Sequence, residues 1–280
     1  DRNRMIADMS PPGVPSSGSP APAKRSLGQN FLIDPNISRK IVAALGIGPQ
    51  DSILEIGPGR GALSEWILKA GPARYLAVEK DLALALALPR NHPGVSVVAV
   101  DALRLDFHRL SALHRLKIVG NLPYNVASPL VWELCAGRGG FVCAVFMVQH
   151  EVAQRMAARP GTAEYGALTA FLGNYVQVDY LFKVGPMVFR PRPRVDSAVV
   201  RLTPLDGVPA VQDPAELGRL IKHCFSHRRK QMRRTLRGQW AKNVEHLFEM
   251  HGYSPESRAE ELTPAFFRIL AKTLKKPGTS

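Results

Sequence analysis

From Ser52 to Val148 short apolar runs alternate with stretches of helical spacing, and no other feature of the chain narrows its fold as much. The runs 52–56, 74–78, 95–100, 116–119 and 141–148 read as strands; 61–70, 81–88 and 128–135 read as the helices between them. Strands that are apolar throughout are buried on both faces, so the pattern predicts an α/β fold with a mostly parallel sheet covered by helices. Helices over 150–158 and 167–174 follow. Strands over 176–184 and 197–202, separated by a Pro-rich turn, then suit an antiparallel edge. After Pro204 the character changes: 206–214 is a linker rich in Gly, Pro and Asp, and 216–274 has helical apolar spacing without a convincing strand. The expected organisation is a tail over 1–23, an α/β domain over 24–204 and a small all-helical domain over 205–280. Residues 10–23 are Pro, Ser, Gly and Ala with one Val; they lack the apolar surface to offset chain entropy, and the tail is expected to be disordered.

The first strand runs into Glu55-Ile56-Gly57-Pro58-Gly59-Arg60-Gly61 before the first helix. Glycines there let the backbone turn sharply and approach a ligand. Alone, such a loop is equally a structural turn. Its setting strengthens it: Glu79 ends the second strand roughly 20 residues on, where doubly wound folds place an acid on a ribose. Asp101 closes the third strand beside Ala102, in reach of an adenine edge. A nicotinamide cofactor fits less well, because the third glycine comes one residue too early for its usual fingerprint. The acidic Glu55 suits a ligand with a cationic end, which favours S-adenosylmethionine.

Asn121-Leu122-Pro123-Tyr124 follows the strand at 116–119. Asn-x-Pro-Tyr is a common turn by itself. At the end of a buried strand beside a methyl-donor site it acquires a chemical meaning. Adenine N6 is a poor nucleophile because its lone pair is delocalised into the ring. Acceptors for its hydrogens, the Asn121 side-chain oxygen and the Leu122 carbonyl, would help it rehybridise, with Pro123 setting the turn and Tyr124 stacking on an extruded base.

The formal charge of +14 (37 Lys and Arg against 23 Asp and Glu) points to a polyanionic partner. It concentrates at 219–240, which holds eight basic residues and no acid: Arg219, Lys222, Arg228, Arg229, Lys230, Arg233, Arg234 and Arg237. A basic run is usually a solvated face, but one so free of acids favours phosphate contact. Arg190, Arg192 and Arg194 add charge near the proposed base pocket. Three scattered cysteines, Cys135, Cys143 and Cys224, argue against a disulfide scaffold or a zinc-cysteine site and fit a reducing cytoplasm. No apolar run is long enough to cross a bilayer, the start lacks a signal-peptide core, and no membrane role is expected. His150-Glu151-Val152-Ala153-Gln154 approaches a metalloprotease helix but carries Gln154 in place of the second histidine, so no metal is expected.

With these residues in place the chain resembles the ribosomal RNA adenine N6,N6-dimethyltransferases. Further stretches carry the resemblance: Ser26-Leu27-Gly28-Gln29-Asn30-Phe31-Leu32, Gln149-His150-Glu151-Val152-Ala153-Gln154-Arg155-Met156, Tyr165-Gly166, and Phe189-Arg190-Pro191-Arg192-Pro193-Arg194-Val195-Asp196-Ser197-Ala198-Val199-Val200. It runs from about Lys24 to the C-terminus and implies a Rossmann-like, S-adenosylmethionine-dependent methyltransferase core with a helical RNA-binding domain. It implies cofactor contacts at Gln29, Asn30, Leu32, Glu55, Gly57, Gly59, Gly61, Glu79, Lys80, Asp101, Ala102 and Asn121. The target adenine would meet Asn121, Leu122, Pro123, Tyr124 and Phe189; the RNA would meet Arg190, Arg192, Arg194, Lys222, Arg228, Arg229, Lys230, Arg233 and Arg234. The implied reaction is dimethylation of two adjacent adenosines near the 3′ end of small-subunit rRNA, late in subunit assembly, by a cytoplasmic monomer. The runner-up is the related erythromycin-resistance methylase of large-subunit rRNA; 195–200 and 225–236 look more like the housekeeping branch. One departure is Arg234, where many relatives carry Asn. A binding or transcription factor on the same fold is the alternative from another class.

Overall fold

The computed structural model describes residues 29–110, 113–137 and 140–274. The expected disordered tail and the Ser26-Leu27-Gly28 part of the first motif lie outside the described residues. In chain order the strands are β1 (Phe31–Leu32), β2 (Ser52–Ile56), β3 (Arg74–Glu79), β4 (Ser96–Ala99), β5 (Leu116–Asn121), β6 (Phe141–Gln149), β7 (Val176–Val184), β8 (Phe189–Arg190) and β9 (Ser197–Pro204). The helices are α1 (Pro35–Ala43), α2 (Ser64–Ala70), α3 (Leu82–Asn91), α4 (Phe107–Leu110), α5 (Ala127–Ala136), α6 (His150–Met156), α7 (Ala167–Leu172), α8 (Pro214–Ser226), α9 (Met232–Thr235), α10 (Lys242–Met250) and α11 (Pro264–Leu274).

Seven strands form one sheet in the order β4-β3-β2-β5-β6-β9-β7. The first five are parallel, and β9 and β7 add antiparallel pairings that close the far edge. This is the Rossmann-like arrangement expected from the alternation. The chain winds outward from β2 toward β4, then returns to place β5 on the other side of β2. Ligands in such sheets bind at that reversal, beyond the carboxyl ends of the strands. At the opposite end, buried Asp51 pairs with Lys117 and Arg115, each at 2.7 Å, and ties the starts of β2 and β5 together.

Two differences from the expected elements have local causes. The helix after β2 begins at Ser64, not at 61, because Gly57, Gly59 and Gly61 all adopt positive φ and keep the loop out of helical conformation. The second is a two-stranded ladder that the sequence pattern does not announce: β1 pairs antiparallel with β8, Phe31 opposite Arg190 and Leu32 opposite Phe189. Each strand is two residues long, too short to carry an alternation pattern.

The C-terminal helices lie against the helical layer on one face of the sheet. Gly218 lets α8 close on α5, since a Cβ there would stand 3.0 Å from the Trp132 ring. Trp132 stacks on Phe171 of α7 with ring centroids 3.7 Å apart and ring planes nearly parallel. One continuous apolar core runs from Leu54 and Ile118 in the sheet through Leu130 and Phe171 to Leu217, Phe248 and Phe267.

Candidate active site

A cleft of about 1250 Å³, counting its open mouth, lies beyond the carboxyl ends of β2, β3 and β5. The glycine loop forms one wall. Gly57 and Gly59 hold left-handed φ values of +65° and +58°, and a Cβ on Gly59 would press to 3.1 Å from the Phe31 ring. Phe31 is also met by the Arg60 guanidinium, 4.4 Å from the ring centroid. The N-terminal segment thus lies across the glycine loop. It is fastened further by Gln29, whose side-chain amide donates to Asp81 Oδ2 at 3.3 Å.

Glu79 ends β3 at the cleft and is largely buried. Its Oε2 accepts from the Gly59 N–H at 3.1 Å and its Oε1 from the Asp81 N–H at 2.9 Å. Burial raises its pKa despite those bonds. Asp101 also lines the cleft, paired with Lys80 Nζ at 2.8 Å and accepting from the Leu103 N–H at 3.1 Å. The Lys80 contact and the backbone bond lower the Asp101 pKa. Ala102 and Leu32 border the same cleft.

Asn121 stands at the carboxyl end of β5 and lines the cleft as well. Its Nδ2 donates to the Asn30 carbonyl at 3.1 Å, which leaves Oδ1 as the amide's acceptor for a ligand. Leu122 turns back through its N–H to the Met147 carbonyl at 3.0 Å, and the Pro123 carbonyl accepts from Val126 and Ala127 to start α5. Tyr124 and Phe189 supply aromatic walls. The Tyr124 hydroxyl lies 3.3 Å from Ser197 Oγ. Ser197 is a buried lining residue whose role as a partner of Tyr124 sequence reasoning missed. Its one signal is its place at the start of an apolar strand, which β9 brings beside the carboxyl end of β6.

Not every expected site residue faces the cleft in the expected way. Gly61 does not line it; a Cβ there would collide with the His92 ring and the Leu88 side chain, so this glycine serves the packing of α3 against the loop. Glu55 borders the cleft, but its carboxyl is buried and accepts from Ser64 Oγ at 2.7 Å and from the Tyr75 hydroxyl. Burial pushes its pKa up to about 7. A carboxyl so enclosed binds β2 to α2 and β3. Both of these bonds fall on Oε2, and Glu55 still lines the cleft where a ligand's cation was expected to meet it. Arg228 Nε pairs with Glu260 at 2.6 Å and its guanidinium donates to the Ala163 carbonyl at 2.8 Å. It fastens the loop before α7 to the C-terminal helices. Lys222 Nζ lies 4.4 Å from the centre of the Trp132 ring. Arg229, Lys230, Arg233 and Arg234 are exposed to differing degrees, as are Arg190, Arg192 and Arg194 beyond Phe189.

A model of the ribosomal RNA adenine dimethylases matches residues 21–276, nearly the whole chain. The chain belongs to this family. Among curated relatives, ribosomal RNA small subunit methyltransferase A of Maridesulfovibrio salexigens is 48% identical over 253 residues, 90% of this chain and 96% of that one. Its counterpart in Nitratidesulfovibrio vulgaris strain Hildenborough is 44% identical over 263 residues, 91% and 97% of the two chains. A dimethyladenosine transferase from Plasmodium falciparum superposes with a TM-score of 0.73 at 25% identity, covering 86% of this chain and 95% of its own. The 23S rRNA methyltransferase ErmE superposes at 0.66 with 24% identity, covering 88% and 100%, a likeness of fold alone.

Proposed function

We infer that the protein transfers methyl groups from S-adenosylmethionine to the exocyclic N6 of adenosine in small-subunit ribosomal RNA. The observation that carries this is Asn121: its amide is oriented by the Asn30 carbonyl so that Oδ1 is the acceptor, in the same cleft as the glycine loop and Glu79. Those residues fit the cofactor. Glu79 retains lone pairs for ribose hydroxyls beside its two backbone bonds, the glycine loop admits close backbone approach, and Asp101 and Ala102 border the space for a base. When bound, S-adenosylmethionine supplies an electrophilic methyl on sulfonium.

The chain's residues prepare the nitrogen. Asn121 Oδ1 and the Leu122 carbonyl accept the N6 hydrogens, which localises the lone pair for in-line attack. Tyr124 and Phe189 hold the ring. The methyl would come from that sulfonium, and the nitrogen is acidic once it carries the methyl, so the chain need supply no strong base. Positioning and fixed dipoles carry the rate. A second round on the monomethylated nitrogen uses the same acceptors, one hydrogen fewer.

The 48% relative supports small-subunit rRNA as substrate, and the family resemblance supports two adjacent adenosines near its 3′ end, late in assembly. We assign methyl transfer to residues 24–204 and RNA docking to 205–280, in one monomeric chain of the cytoplasm. Among the described residues no helix is long and apolar enough to cross a membrane. Labelled S-adenosylmethionine supplied with under-methylated small subunits, and separately with large-subunit RNA, should label adenosines of the former. Label on the latter alone would assign the erythromycin-resistance activity, and label on neither a binding factor.

A further inference from the structure

Two exposed apolar side chains stand on backbone continuous with Leu32 and Phe189, two residues that line the cleft. Met187 is 70% exposed and Ile33 46%, although both sit in an ordered framework. The Ile33 N–H donates to the Val188 carbonyl at 2.9 Å, continuing the β1–β8 ladder in which Leu32 faces Phe189. This fixes the two side chains on adjoining backbone, Met187 two residues from the buried aromatic wall. On the other side of that wall in the chain, Arg190, Arg192 and Arg194 are exposed. These two apolar side chains offer contact surface on the segments that run into the pocket, and the segment after Phe189 carries cations suited to phosphates.

We propose that Met187 and Ile33 form a wedge that enters the RNA base stack beside the target adenosine and takes the place of the base drawn into the pocket. The proposal rests on the adenine-methylating reading of the cleft. Extruding a base breaks stacking on both of its faces, and apolar side chains inserted at the gap recover part of that loss. Met suits the role, since its unbranched thioether adapts to the irregular faces of neighbouring bases. The arginines would hold the flanking phosphates while the wedge holds the gap.

The test compares wild type with Met187→Ala and Ile33→Ser on two substrates: under-methylated small subunits, and the same subunits carrying a mismatch in the base pair nearest the target. Single-turnover methyl transfer is measured with saturating S-adenosylmethionine, whose own binding is followed separately by calorimetry. A wedge predicts roughly tenfold slower transfer by the variants on intact subunits and a much smaller loss on the mismatched ones, where unstacking is already cheap. Cofactor affinity should be unchanged. Equal losses on both substrates, or none on either, would overturn the wedge while leaving the methylation reading intact. A wild type that methylates neither substrate would overturn both.

Discussion

At the scale of single residues, function concentrates in a few atoms whose partners the structure identifies. Asn121→Ala removes the acceptor yet leaves the glycine loop and Glu79 untouched. Turnover should fall on the order of a hundredfold, the size typical of removing one preorganised dipole, and far more than cofactor affinity measured by calorimetry. Ser197→Ala frees the Tyr124 hydroxyl; kcat should drop several-fold with little change in melting temperature, and Tyr124→Phe should add little to it. Glu55 gives a pH test. Its folded pKa is about 7 against an ordinary 4.5, so the folded state holds this proton more tightly than the unfolded chain. The stability this group contributes is therefore full below about pH 4.5 and declines as pH rises to 7, by on the order of 3 kcal/mol. Glu55→Gln, which keeps an acceptor for Ser64 and Tyr75, should flatten that decline in denaturant midpoints measured from pH 4.5 to 8. The place of Asn121 at a strand end in the cleft is legible in the sequence because its motif directly follows a buried apolar run. The enclosure of Glu55 is not: it depends on Ser64 and Tyr75, brought in from α2 and β3.

At the scale of elements, the central strands β2, β5 and β6 read clearly because burial on both faces leaves a nearly uninterrupted apolar run, whereas the edge strand β4 is mostly exposed. The order of β9 inside β7 also agrees with the antiparallel edge expected from their Pro-rich connection. The short ladder of β1 and β8 is not legible, since two residues carry no period. Helix α1 is absent from the periodic reading too, although its start is written in Asp34-Pro35. Asp34 Oδ1 accepts from the Asn36 N–H at 2.8 Å and the Ile37 N–H at 3.2 Å. That cap is worth about 1 kcal/mol, so Asp34→Ala should lower the urea midpoint with the slope unchanged. Helix α8 depends on a missing side chain. Gly218→Leu would force α8 away from Trp132 and should cost about 1–3 kcal/mol, read in the same urea titration.

At the scale of the whole molecule, the charge excess divides by what each cation already does. Arg228 is engaged with Glu260 and the loop carbonyls, whereas Arg229 and Lys230 beside it form no ion pair among the described residues. Reversing Arg229 and Lys230 to Glu should weaken RNA binding and make log affinity less steep against log salt, by roughly 0.7–0.9 for each phosphate these cations neutralise. An unchanged slope would remove those two from the RNA interface. Sequence composition foretold a polyanion partner but not this division, which depends on acids and carbonyls distant in the chain. The ladder between Leu32 and Phe189 has a last consequence, one of linkage between ligands. It joins the segment that crosses the cofactor cleft to the wall that meets the target base. Steadying either strand steadies its neighbour, so the two ligands are expected to bind cooperatively. Reciprocity then requires that S-adenosylhomocysteine tighten RNA by the same factor by which RNA tightens S-adenosylhomocysteine.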